Sequence, residues 1–114
     1  MLHVLILNYR HQVRGPMLDV WAELPKRPAE LAQDLKKIRV TDSRDYAISD
    51  SRSDIEGLTA CISPCDSLAE LNELAEHLQR GTIPAADLEA YIKAQRPTVQ
   101  DLLMFIDNEK HSFY

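Results

Sequence analysis

The sequence predicts an α+β fold, with a small antiparallel β-sheet lobe that carries one helix, followed by a small helical lobe. Strand-like segments fall in the first half of the chain, whereas segments with helical spacing fill the second half, and this separation is typical of α+β proteins. A length of 114 residues fits one compact domain or two small lobes. We therefore predict an α+β domain over 1–64 and a helical domain over 65–114.

Two strands are predicted before the first helix. Residues 2–7 (Leu-His-Val-Leu-Ile-Leu) are rich in branched apolar side chains, which favour a buried strand. Residues 17–24 alternate apolar side chains with Asp19 and Glu23, which favours a half-buried strand. Trp21 interrupts this alternation, and its place in a strand predicts packing in the core or between the lobes.

A short amphipathic helix is predicted next, over residues 28–39. Pro28 suits a first helical turn, because its missing N–H would have no partner there. Acidic side chains come early in this segment and basic ones late, which complements the helix dipole. Residues 45–50 then predict a third short strand, and the apolar run at 58–62 predicts a fourth.

Three helices are predicted in the second half of the chain. The first runs from a capping-box signature at Ser67 to a stop at Gly81 and has one apolar face. Pro84 begins the next helix, and Thr98 with Asp101 caps the last one. The helical lobe is therefore expected to contain three short helices joined by tight turns.

The charge of the chain is unevenly distributed. Acidic residues outnumber basic ones by 18 to 13, and the net charge of −5 argues against a general nucleic-acid binder. Residues 1–40 hold four acids and seven bases, whereas residues 41–90 hold eleven acids and three bases. Lys26, in the basic first third, is expected to be solvated in a loop, with binding of an acidic partner as the alternative. The acidic segment is the strongest charge signal for an interaction surface.

Three glutamates form a regular stripe on the first helix of the second half. Glu70, Glu73 and Glu76 recur every three residues, which places carboxylates about 4.5 Å apart along the helix axis. Each strand of duplex DNA carries a charge about every 3.4 Å, so the two charge densities are comparable. Most acidic helix faces are solvated surface, and that interpretation also stays open.

Motifs for enzymatic or metal chemistry are missing from the sequence. Cys61 and Cys65 are too few for a closed zinc site and lack Cys-x-x-Cys spacing, so we expect structural thiols in a reducing cytoplasm. The four histidines form no metal-binding pair, and three glycines are too few for a phosphate-binding loop. The apolar run at 4–7 is too short to cross a membrane. We expect a cytoplasmic protein that is not an enzyme and uses no metal or cofactor.

Three segments, in this order, resemble the ArdA antirestriction family. Residues 20–25 (Val-Trp-Ala-Glu-Leu-Pro) precede an amphipathic helix, and residues 46–50 read Tyr-Ala-Ile-Ser-Asp. Residues 67–75 (Ser-Leu-Ala-Glu-Leu-Asn-Glu-Leu-Ala) match the family's S-x-x-E-L-N-x-L-A helix. The Asn8-Tyr9 loop also lies where family members have a strand-ending Asn and a long loop. Together these features cover about 4–80, so the resemblance concerns the N-terminal α+β and central helical domains of that family.

The resemblance implies a non-catalytic protein of mobile elements that imitates the charge and curvature of B-form DNA. Such a protein blocks the DNA site of type I restriction–modification enzymes, binds no nucleic acid or membrane itself, and can form a homodimer. The segments that resemble the family do not extend to its third, C-terminal α/β domain, and we expect this chain to lack that domain. At Arg52 the chain has a base where the family pattern has an acid. The acidic residues expected to replace phosphates are Asp42, Asp45, Asp50, Asp54, Glu56, Asp66, Glu70, Glu73, Glu76, Asp87 and Glu89.

Two further functional hypotheses stay open beside DNA mimicry. A non-catalytic interaction module on an ArdA-like scaffold would show patchy charge and an exposed apolar patch on the helical lobe. A small enzyme, the least favoured hypothesis, would need a pocket with convergent carboxylates or His77. DNA mimicry instead predicts one contiguous acidic face.

Overall fold

The computed structural model describes residues 2–8, 19–40 and 45–111, and the fold is α+β as predicted. Three antiparallel strands form one sheet, and helices account for most of the remaining described residues. The elements, in chain order, are β1 (Leu2–Asn8), β2 (Asp19–Leu24), α1 (Pro28–Lys37), β3 (Tyr46–Ser53), a 3₁₀ turn (Leu58–Cys61), α2 (Leu68–Arg80), α3 (Ala85–Gln95) and α4 (Val99–His111).

The first strand of the chain is the central strand of the sheet. β1 pairs with β2 on one side and with β3 on the other, in the order β2-β1-β3. Leu2, Val4 and Ile6 are fully buried, because alternate side chains of a strand point to the same face. Their neighbours Ala22 and Leu24 on β2 are buried on that same face. The apolar run at the start of the sequence therefore supplies the central part of the sheet face that packs in the core.

The predicted fourth strand is wrong. Residues 58–62 contain the 3₁₀ turn Leu58–Cys61 instead of a strand. The turn follows Gly57, whose φ of 82° lies in the left-handed region that glycine adopts without steric cost. Only Leu58 at its start is fully buried, while Thr59 and Ala60 are exposed. A short apolar run does not by itself separate a strand from a helical turn, and here the preceding glycine reverses the chain.

The three helices of the second half are confirmed, and their caps explain where they begin and end. Ser67 Oγ accepts a hydrogen bond from the Ala69 N–H at 3.2 Å at the start of α2, and Gly81 ends it with a φ of 65°. Thr98 and Asp101 bond reciprocally at the start of α4, at 3.1 and 3.2 Å. These contacts satisfy N–H groups that a helix terminus otherwise leaves without partners.

One hydrophobic cluster joins the sheet to the helices. Leu71 and Leu74 of α2 are fully buried, and Leu102 and Ile106 of α4 belong to the same cluster as the inward face of β1. The molecule is elongated, measuring 51 × 27 × 21 Å. No helix among the described residues has the length and apolar composition needed to cross a membrane. The division into domains at 64/65 stays a prediction.

Three segments that are far apart in the sequence meet one another around α2. The side chain of Asn72 accepts the Lys26 N–H and donates to the Lys26 carbonyl, both at 2.8 Å. The Tyr46 hydroxyl accepts the Leu68 N–H at 2.9 Å, at the first turn of α2. Hydrogen bonds therefore connect α2 both to the loop at Lys26, between β2 and α1, and to the start of β3.

Candidate acidic interaction surface

The three glutamates of α2 lie on the side of the helix that points away from the core. Glu73 is exposed, whereas Glu70 and Glu76 are half-buried. With 3.6 residues per turn, Glu70 and Glu76 lie about 60° to either side of Glu73 and about 9 Å apart along the axis. The predicted stripe is therefore a short acidic surface centred on Glu73.

A basic side chain adjoins one end of this stripe. The Arg80 guanidinium lies 4.0 Å from the Glu76 carboxylate, one helical turn away, with 70% of the Arg80 side chain and 45% of the Glu76 side chain exposed. An exposed pair of this kind is worth about 0.3–0.5 kcal/mol, so it constrains the two side chains only weakly. The pair reduces the negative charge at the C-terminal end of α2. The acidic character is therefore strongest at Glu70 and Glu73.

A second acidic group is assembled from distant parts of the sequence. The backbone N–H of Glu56 donates to Glu89 Oε1 at 3.4 Å, and both residues line a surface cleft of about 440 Å³ between the Gly57 turn and α3. Asp54 lies three residues before Gly57 and is exposed. The fold thus brings together Glu56 and Glu89, two predicted residues that are 33 positions apart in the sequence.

The remaining exposed carboxylates of the predicted set serve local structure as well. Asp50 Oδ1 accepts the Ser51 N–H at 2.8 Å, and Asp66 Oδ2 accepts the Ser63 N–H at 2.6 Å in the turn before α2. Asp87 lies in the first turn of α3, where a negative charge complements the helix dipole. These roles leave the charges at the surface.

Two members of the predicted set do not contribute to a described acidic surface. Asp45 is only 7% exposed, because it lies where the chain enters β3 at the edge of the core, and its inclusion is therefore corrected. A carboxylate at that depth cannot present its charge to a partner. Asp42 lies outside the described residues.

Trp21 does not pack in the core as predicted. It is 40% exposed and pairs with Leu5 on the face of the sheet opposite the buried Ala22. The Arg52 guanidinium lies 4.9 Å from the centre of its ring, which is cation–π geometry. The alternation of β2 in fact places Trp21 on the outward face with Glu23, so the pattern itself contained this information.

Lys26 is not solvated in a loop, contrary to the prediction. Its Nζ lies 2.7 Å from Asp34 Oδ2, and the Lys37 ammonium lies 3.8 Å from the other oxygen of the same buried carboxylate. The basic first third is thus partly neutralised internally. The partners are on different elements, so periodicity could not have revealed this contact.

The cysteines are free thiols in different environments. Cys61 is half-buried, its thiol lies 3.6 Å from the Gly57 carbonyl, and burial raises the pKa of the thiol above its ordinary value. Cys65 is exposed. Within the described ranges, no three His, Cys, Asp or Glu side chains are grouped in a way that could hold a metal ion. The surface described above therefore offers charge and hydrogen-bond acceptors.

Comparisons with protein families, with curated proteins and with solved structures found no match to this chain. Within the described residues, the exposed carboxylates of 50–89 form the most distinctive feature.

Proposed function

We propose that this chain is a non-enzymatic, antirestriction-type DNA mimic that binds and inhibits type I restriction–modification enzymes through an acidic surface. One observation carries the proposal. Of the ten predicted phosphate-replacing residues that the structure describes, nine are exposed or half-buried. This set, called the acidic surface below, consists of Asp50, Asp54, Glu56, Asp66, Glu70, Glu73, Glu76, Asp87 and Glu89.

Four of the described bases have contacts of their own within the fold. Arg52 lies over the Trp21 ring on the outer face of the sheet, and Arg80 pairs with the C-terminal glutamate of α2. Lys26 and Lys37 share the buried Asp34 carboxylate. The elongated shape of the molecule also suits a partner whose site accepts a length of duplex.

Replacement of the α2 glutamates tests the proposal. We expect Glu70→Gln/Glu73→Gln/Glu76→Gln to lose most of the inhibition of a purified type I enzyme, because attraction to a basic DNA site depends on these charges. The wild-type inhibition should weaken steeply between low and moderate salt, as phosphate contacts do. Inhibition is measured by titrating the full chain against DNA cleavage.

The control keeps the same change in net charge but moves it away from the acidic surface. Asp19→Asn/Glu23→Gln/Glu30→Gln alters three exposed carboxylates of the first third and should inhibit nearly as well as the wild type. Equal inhibition by both triple variants, or inhibition that ignores salt, contradicts DNA mimicry. No inhibition by the wild-type chain well above the enzyme concentration contradicts it as well.

A second candidate function is a non-catalytic interaction module, and exposed apolar side chains favour it. Met104 on α4 is 63% exposed, and Trp21 lies on the outer face of the sheet. A partner bound through such side chains would bury apolar area, and its affinity would change little with salt. Salt-insensitive binding that is lost in Met104→Gln but kept in the α2 triple variant would identify this function.

A further inference from the structure

The cleft beside α3 combines apolar walls with two carboxylates. It has a volume of about 440 Å³, which lies within the range of about 300–1,000 Å³ common for ligand sites. Gly57, Ala90 and Ile92 contribute apolar lining, while Glu56 and Glu89 supply the acidic groups. Two residues of the acidic surface therefore lie in a concave part of the molecule.

The walls of the cleft are open because small residues form them. A Cβ at Gly57 would lie 3.0 Å from Ile92 Cγ2, so the backbone of the turn packs directly on α3. Ala86 and Ala90 are four residues apart and therefore lie on one face of the helix; both are exposed. These side chains leave room for an extended aliphatic stem from another molecule.

The charges in the cleft are arranged from one end to the other. The Glu89 carboxylate accepts a hydrogen bond from the Glu56 N–H and therefore lies against the backbone of Glu56, and the Glu56 side chain lines the same cleft. Lys93 also lines the cleft, one helical turn beyond Glu89 and about 6 Å further along the axis. Its ammonium repels a second cation, so a positively charged group is attracted to the end that holds the two glutamates.

The geometry points to an arginine side chain of the protein partner as the occupant of this cleft, with its stem against Ala86 and Ala90 and its guanidinium between Glu56 and Glu89. A guanidinium is planar, is weakly hydrated and presents five donors, so it can bond two carboxylates while its stem covers apolar surface. A lysine ammonium is more strongly hydrated and lacks the planar arrangement of donors that a guanidinium has. The inference rests on the proposed function, since DNA-binding sites present arginines to phosphates and base edges.

The test uses N-acetyl-arginine amide as the probe and the full chain labelled with ¹⁵N. We expect saturable amide shifts at Gly57, Ala86 and Ala90, and weaker shifts with N-acetyl-lysine amide. Ala90→Leu fills the cleft without changing any charge and should abolish these shifts. Ala94→Leu is the matched control, because Ala94 is an exposed alanine of the same helix outside the cleft lining, and it should bind as the wild type does.

A second variant removes the charges and keeps the shape. Glu56→Gln/Glu89→Gln should also lose the saturable shifts, whereas the α2 triple variant should keep them. Retained binding in Ala90→Leu or in Glu56→Gln/Glu89→Gln overturns the inference, and so do unsaturable shifts spread evenly over the acidic surface.

Enzyme inhibition separates the cleft from the proposed function. If the wild-type chain inhibits the enzyme and Ala90→Leu inhibits equally well, the cleft is not part of the contact although the proposed function stands. Saturable binding in the cleft without enzyme inhibition would contradict the proposed function alone.

Discussion

The contact between Arg52 and Trp21 decides what the outer face of the sheet presents to solvent. The Arg52 guanidinium covers one side of the ring at 4.9 Å, although the central strand β1 separates the two residues. We expect Arg52→Ala to increase the quenching of Trp21 fluorescence by acrylamide, because the ring loses its cover, and to cost about 0.5–1 kcal/mol of stability. Trp21 is the only tryptophan of the chain, so the signal has a single source.

Arg80→Ala is the control, because it removes an exposed arginine whose contact is with Glu76 on α2. It should leave the quenching unchanged. Arg52→Glu, which replaces the cation with an acid, should expose the ring as much as Arg52→Ala does. Unchanged quenching in both Arg52 variants would show that the guanidinium does not cover the ring in solution.

Single residues differ in how far the local sequence predicts their place. The alternation in β2 predicts the strand and places Trp21 on its outward face, whereas the apolar character of tryptophan alone predicts the core. The pair between Lys26 and Asp34 joins a loop to a helix, and no local pattern signals it. Asp45 resembles a solvated loop acid in the sequence, and its burial depends on the packing around the start of β3.

At the scale of elements, glycines with positive φ end α2 and begin the 3₁₀ turn. Gly81 has a φ of 65° with no atom within 4 Å of an added Cβ, whereas a Cβ at Gly57 would meet Ile92 Cγ2 at 3.0 Å. We expect Gly81→Ala to cost about 1–2 kcal/mol, from left-handed strain alone. Gly57→Ala should cost more, because the strain is joined by a close contact. Urea unfolding of both variants measures the difference, and an equal or smaller loss in Gly57→Ala would contradict the close packing of the turn on α3.

The helices were more predictable than the 3₁₀ turn because their signals are local and redundant. α2 has an N-cap serine, an apolar face and a terminal glycine, and α4 has the reciprocal Thr98–Asp101 bonds. The segment 58–62 has only a short apolar run, and its conformation follows from the turn at Gly57. The sequence predicts which residues bring negative charge to the candidate surface. The contact between Glu56 and Glu89 depends on tertiary packing, so the sequence does not predict it.

At the scale of the whole molecule, Asn72 links the two predicted domains. Its buried amide bonds both backbone groups of Lys26, which lies on the other side of the 64/65 boundary. Asn72→Ala leaves those groups without this partner, and we expect a loss of about 1–3 kcal/mol. Asn108→Ala, at an exposed position of α4, should cost much less. The hydrophobic cluster is continuous across the 64/65 boundary, so we expect the chain to unfold as one unit. Urea unfolding followed by circular dichroism and by Trp21 fluorescence should therefore give coincident transitions, and both should shift together in Asn72→Ala. Separate transitions, with the helical half unfolding first in the variant, would instead show that the chain consists of two units held together at Asn72.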